Sequence, residues 1–489
     1  MARLPAQAGG GLLCALLACQ LAGPLTQAAG SEPAWTTYHH DPLRSGEDPE
    51  AGERLVPALA WQSSNLGAPI WGQPLVLGGR VYAATVGDQI YALDAATGAV
   101  LWSRSVGAPV PSSALPCGDI FPTVGVVGTP VIDVSTQVIY AVADTWDPSR
   151  SEAHHLLVGL RLANGEQVLR TPVDPPGADP KALLQRTALN LDQGRVVFGF
   201  GGNDGDCAKY RGALVTVPEA GGASSQWQVP IAAPAETGGG IWAASGPAVD
   251  GEGHIYAATG NPNPPSGQKV STYDYSDSVV KLDSSANLLG SFATPNWASE
   301  SNSDRDLSSA GPEPLPGGLL FQAGKTGIGY LIDEAGMASG AHAVYSQQVC
   351  GGSGSFGGDA FAGGVIYIPC TSGVQALAYN QAARTFTPMW RGPGDSFGGP
   401  IVSAGLVWSI GGVKGEATKL YGLDPASGAT RYTETLPSPV VDHFGSPSAG
   451  GGRVFVATGS SLAAYRVAQP LGTPPGGANP GAPAPGGTA

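Results

Sequence analysis

Two aspartates separated by one residue are the side chains of this sequence most able to do chemistry. Asp304 and Asp306 lie in the segment SDRDLSSAGP at 303–312. Paired carboxylates beside a divalent ion stay ionised, so they can bind that ion or accept a proton. Aspartates at turns also cap the local backbone, and the sequence leaves both interpretations open.

Signatures of several other kinds of site are missing. The sequence has no HExxH motif, and its cysteines form neither a CxxC motif nor a Cys/His cluster with zinc spacing. With 24 basic and 38 acidic residues, the net charge of the chain is −14. Because this balance offers no basic patch to neutralise phosphates, we expect no binding to nucleic acid.

The first 29 residues resemble an export signal. Arg3 provides a positive charge, an apolar stretch covers 11–25, and small residues surround the expected cleavage point after Ala29. Leu-Leu-Ala-Cys at 16–19 resembles a bacterial lipobox, in which Cys19 would carry a lipid anchor; the alternative is a cysteine that serves only as a small apolar residue. No later stretch is long and apolar enough to span a bilayer. We therefore expect an exported protein that is periplasmic, on the cell surface or secreted, either free or anchored as a lipoprotein.

Export has a consequence for the four cysteines that follow the signal. Disulfides persist in oxidising compartments, and an even number of cysteines suits pairing. Four cysteines allow three connectivities. Among these we favour Cys350 with Cys370 and Cys117 with Cys207.

The strongest pattern in the sequence is an internal repeat. Residues 72–102, GQPLVLGGRVYAATVGDQIYALDAATGAVLW, alternate apolar strands with glycine turns and end on a DxxTG turn and a tryptophan, which predicts a four-stranded antiparallel meander. Degenerate copies begin at 128, 246, 311, 399 and 445, with weaker ones near Thr187 and Asp359. Such sheets cannot bury both faces alone, so radial packing is favoured. We predict an all-β fold, an eight-bladed β-propeller of four-stranded antiparallel blades.

The two ends of the repeat region predict how the ring closes. The last copy, at 443–467, lacks its fourth strand, whereas RLVPALAWQS at 54–63 is a strand without a blade. We expect these N- and C-terminal segments to pair and share one blade. The predicted organisation is a signal peptide at 1–29, a leading segment at 30–53, the propeller at 54–469 and a disordered Pro/Gly-rich tail at 470–489.

Three strings carry a resemblance to a known family. YALDAATGAVLW at 91–102 and LYGLDPASGATRY at 420–432 resemble the tryptophan-docking repeat of propellers that bind pyrroloquinoline quinone (PQQ). WTTYHHDPLRSG at 35–46 resembles the segment that precedes many such propellers, including bacterial outer-membrane assembly lipoproteins. The resemblance implies that a tryptophan of each blade packs on a turn of the next, a role for Trp102, Trp227 and Trp390.

The resemblance also implies a site. GGGIWAASGPAVDGEGHIYAATGN at 238–261 is similar to the segment of quinoprotein dehydrogenases that provides the floor under the quinone and a Ca²⁺ ligand, here Trp242 and Asn261. An indole suits a planar quinone, and an amide oxygen suits Ca²⁺; the alternative is a packing tryptophan and a turn asparagine. Asp304 and Asp306 fall where those enzymes place their catalytic base, and Lys325 falls where a cation meets the quinone oxygen.

Two departures from the family count against catalysis. In GGNDGDCAKYRGAL at 201–214, Cys207 replaces the expected metal-binding glutamate, and Asp206 reaches the same place only if the loop shifts. The adjacent-cysteine disulfide and a haem domain of those enzymes are also missing. Since Ca²⁺ takes six to eight oxygens, losing a carboxylate weakens its site.

Two functions follow. The sequence favours a non-catalytic propeller that binds a protein, glycan or small molecule on its rigid loop face, because propellers often serve as scaffolds. The alternative is a dehydrogenase that uses PQQ and Ca²⁺ to oxidise an alcohol or sugar. Convergence of Trp242, Asn261, Asp306 and Lys325 in one funnel would favour the alternative.

Overall fold

The computed structural model describes residues 34–469, except 50, 341, 413–416 and 442–443. The predicted signal peptide (1–29), Cys19 and the tail at 470–489 lie outside the described residues. Within the described part, the helices are all too short or too polar to cross a bilayer.

Eight sheets, each a four-stranded antiparallel meander at its core, follow one another along the chain. The prediction of an eight-bladed, all-β propeller is therefore confirmed. Blades 1 to 4 contain Leu75–Leu77, Arg80–Ala84, Gln89–Asp94 and Val100–Ser105; Val131–Asp133, Val138–Asp147, Glu152–Arg161 and Gln167–Pro172; Asn190–Asp192, Arg195–Gly202, Ala213–Pro218 and Ser225–Gln228; Ala248–Val249, Ile255–Ala258, Ser278–Leu282 and Leu288–Ala293. Blades 5 to 8 contain Glu313–Leu315, Leu319–Gln322, Ile328–Asp333 and Ala343–Gln348; Ala360–Ala362, Val365–Ile368, Gln375–Asn380 and Thr385–Arg391; Ile401–Ser403, Leu406–Gly411, Lys419–Leu423 and Thr430–Thr435; Ser448–Gly450, Arg453–Thr458, Ser461–Ala468 and Arg54–Gln62.

A few short elements complete the described structure. Ala34–Trp35 adds a strand to blade 1, Leu183–Leu184 pairs with the second strand of blade 3, and Val110–Pro111 pairs with Thr123–Val124. One short α-helix covers Trp297–Ser301. The 3₁₀ helices cover Ser112–Ala114, Pro180–Ala182, Leu307–Ser309 and Glu334–Ser339.

Burial falls from the first strand of a blade to its last. In blade 1 the first strand, Leu75–Leu77, is fully buried, whereas the last, Val100–Ser105, is mostly exposed. The first strands of neighbouring blades lie against one another around the axis. The apolar faces of adjacent sheets then cover each other, as in the cluster of Val131, Phe198 and Val215 between blades 2 and 3.

Blade 8 is built from both ends of the described chain, as the sequence predicts. Arg54–Gln62 pairs antiparallel with Ser461–Ala468, with Ala58 opposite Arg466 and Gln62 opposite Ala463. This strand brings Trp61 onto blade 1, where the indole donates to the carbonyl of Ala95 at 3.1 Å. The pairing closes the ring without a free sheet edge at the junction.

Tryptophans dock on glycine turns where the family resemblance expects them. Trp102 donates to Leu162 O (2.9 Å), and Trp390 donates to Pro425 O (2.9 Å). A Cβ on Gly165 or on Gly428 would overlap the docked ring. Trp227 instead contacts Tyr275 edge-on, with ring centroids 6.3 Å apart, between blades 3 and 4.

Both predicted disulfides are present. Cys117 is bonded to Cys207, 90 residues away, and Cys350 is bonded to Cys370, 20 residues away. The second bridge is fully buried between blades 5 and 6, whereas Cys207 is exposed.

Residues 34–48, which we call the axial plug, cross the axis of the ring. Backbone amides of the first strands donate to plug carbonyls at 2.8 Å in blades 2, 4, 6 and 7. Trp35 pairs with Val76 in blade 1, and the Thr37 hydroxyl donates to Leu189 O near blade 3. His39 contacts Ser446 at the start of blade 8 (3.0 Å). One segment therefore bonds to seven of the eight blades.

Candidate functional site

A cavity of about 560 Å³ opens among blades 3, 4 and 5. Two kinds of segment form it: the segments that lead into the first strand of each blade, and the loops that join the second and third strands. Its volume lies within the usual range for small-molecule sites, roughly 300–1,000 Å³. The lining residues are Leu184, Arg186, Gly202, Asn203, Asp204, Gly205, Asp206, Tyr210, Gly240, Trp242, Asn261, Asn263, Asp304, Asp306 and Lys325.

The cavity brings together all six residues proposed from the sequence. Trp242, Asn261, Asp304, Asp306, Lys325 and Asp206 all line it. Their roles stay predictions, but their convergence does not follow from chain proximity, since they come from three blades.

Asp306 is the central carboxylate. Its side chain is 5% exposed, and it forms an ion pair with the ammonium group of Lys325. The backbone amide of Asn261 donates to its Oδ1 at 2.7 Å. This close approach depends on Gly260, where a Cβ would lie 2.6 Å from Asp306 Oδ1. The Thr-Gly-Asn turn of blade 4, at 259–261, is therefore shaped around the Asp306 carboxylate, which belongs to the segment that leads into blade 5.

Asp304 has a different position from Asp306, although only one residue separates them. Its side chain is 76% exposed at the rim, and its Oδ1 lies 2.7 Å from Lys325 Nζ. Asp304 adopts a left-handed φ of 52°, so the backbone turns between the two aspartates. Asp306 therefore faces the interior of the cavity and Asp304 faces solvent.

The side-chain amide of Asn261 also faces Asp306. With its nitrogen toward the carboxylate, the amide donates to Asp306 Oδ2 at 3.0 Å. Asn261 therefore meets this carboxylate through both its backbone amide and its side chain.

Electrostatics at Asp306 are set by burial and by its neighbours. Burial raises the pKa of the Asp306 carboxyl, and the adjacent Lys325 ammonium opposes this rise. Burial opposes the charge on Lys325, but its ion pair with Asp306 outweighs burial and raises the pKa of Lys325. Behind Asp306, burial and the Asp306 charge raise the pKa of Asp277 to about 8. Asp306 is thus a carboxylate held in place by a cation and able to take up a proton.

A row of aromatic and cationic side chains connects three residues of the cavity wall, Lys325, Trp242 and Arg186. Lys325 Nζ is 5.5 Å from the centre of the Trp242 ring, and Trp242 is 6.1 Å from Phe444. The guanidinium of Arg186 lies 4.9 Å from Phe444 and 5.7 Å from Trp71. The indole of Trp242 remains partly exposed to the cavity. This wall suits a planar ligand with anionic groups.

Sequence reasoning missed Arg186 and Tyr210. Arg186 stands four residues before the first strand of blade 3, and Trp71, Phe356 and Phe444 hold the same position before blades 1, 6 and 8. Because equivalent repeat positions meet near the axis, aligning the repeats would have indicated these residues. Tyr210 has no such signal, since it lies in the irregular loop of blade 3.

One motif that matches a catalytic pattern does not form a site. The segment GDSFG at 394–398 fits the GxSxG pattern of serine hydrolases. Ser396, however, is fully buried, and its hydroxyl donates to Pro393 O at 2.7 Å. A nucleophile at such an elbow must be exposed to substrate, so Ser396 serves the turn.

Comparisons with known proteins agree with the fold. A family model described as outer membrane protein assembly factor BamB matches residues 50–263. The structure is similar to that of the quinohemoprotein alcohol dehydrogenase from Comamonas testosteroni, with a TM-score of 0.64 and 16% identity, over 91% of this chain and 82% of that chain. The predicted resemblance to the PQQ-type propeller family is confirmed.

The solved structures with a similar fold include both enzymes and an assembly protein. A europium-containing methanol dehydrogenase gives a TM-score of 0.64 at 14% identity, over 89% of this chain and 98% of that chain. BamB from Moraxella catarrhalis gives 0.54 at 10% identity, over 84% and 100%. No curated protein sequence matches the chain. At these identities the similarity shows the fold alone, and any activity has to be argued from the residues of the site.

The oxygen donors and cationic side chains of this cavity suit a hard cation together with an anionic ligand. Asp206, Asn261 and Asp306 offer carboxylate and amide oxygens, which are Ca²⁺ ligands. Four aspartates and two cations line the cavity, which gives its wall a net charge of −2. In the described residues, no three His, Cys, Asp or Glu side chains are grouped closely enough to hold a metal alone. A cation here therefore needs further oxygens from water or from a bound cofactor.

Proposed function

We propose that the cavity among blades 3, 4 and 5 binds PQQ with Ca²⁺, and that the chain is a dehydrogenase acting on an alcohol or sugar hydroxyl. The observation that carries this proposal is the convergence of Trp242, Asn261, Asp306 and Lys325 in one 560 Å³ cavity. The sequence alone favoured the binding propeller because of the missing glutamate, and the convergence reverses that order.

Each residue has a role that its surroundings support. Asn261 and Asp306, with Asp206, would hold the cation, and Trp242 would cover one face of the cofactor. Arg186 and Lys325 would meet its acidic and carbonyl oxygens. When bound, PQQ supplies the two-electron oxidation of the carbon that bears the hydroxyl.

Asp306 is the residue best placed to accept the substrate proton. It is buried, its pKa is raised by burial, and Lys325 stabilises its ionised form. Burial makes this carboxylate more basic and the ion pair with Lys325 favours its charged form, and a general base needs both properties. Asp304, at the exposed rim, is more suitable as a second partner that positions Lys325.

Equilibrium binding tests this proposal. Purified protein is titrated with PQQ at saturating Ca²⁺ while tryptophan fluorescence and quinone absorbance are followed. We expect one PQQ per chain, and Asn261→Ala and Lys325→Ala should each weaken binding at least about tenfold, because each removes a polar or charged contact in a partly buried site. Lys419→Ala, in an exposed pair with Asp395, is the matched control and should bind as the wild type does.

Absence of PQQ uptake by the wild type would support the second candidate, a non-catalytic propeller that binds a protein or glycan on its loop face. The specific observation in its favour is the ion pairing of Lys325. Its ammonium is already paired with Asp304 and Asp306, the carboxylates that a cation would need. A scaffold requires nothing further at this position.

We also infer export of the chain, to the periplasm, the cell surface or the medium. Two disulfides and the leader pattern at 1–29 support this inference. Processing that is sensitive to globomycin, and abolished by Cys19→Ala, would indicate a lipid anchor at Cys19. Normal processing of that variant would indicate free secretion.

A further inference from the structure

The loop of blade 3 that joins Arg195–Gly202 to Ala213–Pro218 is the part of the cavity wall that carries a disulfide. Residues 203–206 of this loop all line the cavity, but Asp204, Gly205 and Asp206 are exposed at its rim. Hydrogen bonds hold the two ends of the loop. The side-chain amide of Asn203 donates to Lys181 O at 2.7 Å, and the backbone amide of Tyr210 donates to Thr237 Oγ1 at 2.7 Å.

The middle of the loop is attached through a disulfide. Cys207 is bonded to Cys117, which lies between the paired strands Val110–Pro111 and Thr123–Val124 ahead of blade 2. The backbone amide of Cys207 also donates to Cys117 Sγ at 3.4 Å. The bridge therefore connects the wall of the cavity to a separate hairpin.

This attachment acts on Asp206, the residue next to Cys207. Asp206 has a left-handed φ of 47° after Gly205 at 90°, and its amide donates to Asn203 O at 3.1 Å. A left-handed aspartate is disfavoured relative to extended backbone, so the turn needs support from its surroundings. The turn places the Asp206 carboxylate beside the Tyr210 hydroxyl, at the rim of the cavity.

We propose that the Cys117–Cys207 disulfide is a positioning element that holds Asp206 as an oxygen ligand for a divalent cation in the cavity. Cys207 directly follows Asp206, so the covalent bond to Cys117 fixes the loop that carries this carboxylate. Cation affinity then depends on the oxidised state of the bridge. The inference rests on the proposed function for the identity of the bound ion.

Cation binding without cofactor tests the role of the bridge separately from PQQ. Tb³⁺ is titrated into the full chain, with luminescence sensitised by tryptophan, and Ca²⁺ affinity is measured by competition. We expect Asp206→Asn to weaken Ca²⁺ binding at least about tenfold. The double variant Cys117→Ser/Cys207→Ser should show a similar loss, although both of its changes lie outside the ligand set.

A double-mutant cycle distinguishes positioning from general destabilisation. If the bridge acts through Asp206, adding Asp206→Asn to the serine variant should weaken binding no further. Cys350→Ser/Cys370→Ser removes the buried bridge between blades 5 and 6, away from the cavity, and is the matched control; it should retain wild-type affinity for Ca²⁺ at temperatures where thermal unfolding shows both variants folded.

Two outcomes would overturn the inference. One is wild-type Ca²⁺ affinity in the Cys117→Ser/Cys207→Ser variant; the other is additive loss in the cycle. Failure of the proposed function gives a different result: Tb³⁺ binds and depends on the bridge, but PQQ does not bind. A wild-type chain that binds neither Tb³⁺ nor Ca²⁺ refutes the role of the bridge as well.

Discussion

The axial plug contains a fully buried cation and the cavity a half-buried one, and the partners of these two cations differ in kind. In the plug, Arg44 is 1% exposed and donates only to neutral oxygens: Thr37 Oγ1, Tyr38 O, Leu189 O and Pro247 O. In the cavity, Lys325 is 21% exposed and is paired with two carboxylates. Backbone carbonyls cannot move away, whereas side-chain carboxylates can exchange partners with a ligand. The contacts of Arg44 therefore stabilise the fold, whereas those of Lys325 can be exchanged for contacts with a ligand.

The largest expected effect comes from breaking the plug. Arg44→Ala would remove five buried hydrogen bonds, to the Thr37 hydroxyl and to the carbonyls of Tyr38, Leu189 and Pro247, and it would loosen the segment that joins seven blades. We expect a loss of about 3–5 kcal/mol in the free energy of unfolding, measured with urea. The control is Arg431→Ala, which removes an exposed ion pair with Asp424 and should cost less than about 1 kcal/mol. Equal stabilities of the two variants would contradict a structural role for the plug.

A second contrast is between a glycine against which a tryptophan ring packs and a glycine that only allows a turn. Gly98 and Gly79 both have left-handed backbones, with φ of 74° and 72°. A Cβ on Gly98 would lie 2.5 Å from the Trp61 ring that closes the propeller, whereas nothing lies within 4 Å of one on Gly79. Both alanine variants should lose about 1 kcal/mol from backbone strain.

Gly98→Ala should lose about 2 kcal/mol more than Gly79→Ala, because the added methyl displaces the indole. The difference is measured as a shift in the urea midpoint at constant slope. Equal shifts for the two variants would mean that Trp61 contributes little to ring closure.

His155 provides a third case, a buried cation that is held by carboxylates yet closed to ligands. Burial alone would lower its pKa, but Asp144 at 3.2 Å and Asp174 at 2.6 Å outweigh burial and raise the pKa of His155 to about 10. In the unfolded chain its pKa is about 6.5. Its contribution to stability is therefore complete below about pH 6.5 and is lost as the pH rises toward 10.

Thermal unfolding between pH 6 and pH 10 checks this prediction. The wild type should lose about 1–3 kcal/mol relative to His155→Gln over that range. The neighbouring His154 is the control: its side chain is 44% exposed, and solvent screens its contacts with Glu152 and Asp174, each at 3.6 Å, so His154→Gln should follow the wild type. A wild-type profile parallel to that of His155→Gln would show that the histidine is not charged in the folded protein.

The features that recur in every repeat could be predicted from the sequence, whereas the contacts of the irregular axial plug could not. Eight blades, the closure at Arg54–Gln62 and the docking of Trp102 and Trp390 follow from recurring strand and turn patterns. The axial plug contains no repeated sequence pattern. Its contacts join residues hundreds of positions apart, such as His39 Nδ1 and Asp359 O at 2.7 Å. No local pattern specifies such a contact.

The candidate site shows the same division. The site residues could be predicted because they stand in motifs that resemble the family's. Which of them face the interior of the cavity depends on turns that the spacing of residues does not reveal. Asp304 and Asp306 would share a face in a strand. The left-handed turn at Asp304 instead sends one aspartate to the rim and the other to the interior.

The smallest effect separates these two aspartates and sharpens the contrast between permanent and exchangeable contacts. Asp306→Asn removes the interior charge beside Asn261 and should weaken Ca²⁺ binding about tenfold, which corresponds to about 1.4 kcal/mol. Asp304→Asn removes an exposed partner of Lys325 and should change affinity by less than about twofold, because solvent screens that pair. Competition against Tb³⁺ measures both. Equal losses would show that the rim and the interior act as one site, and tighter binding by Asp304→Asn would show that Lys325, released from the rim, leaves Asp306 more accessible to the cation.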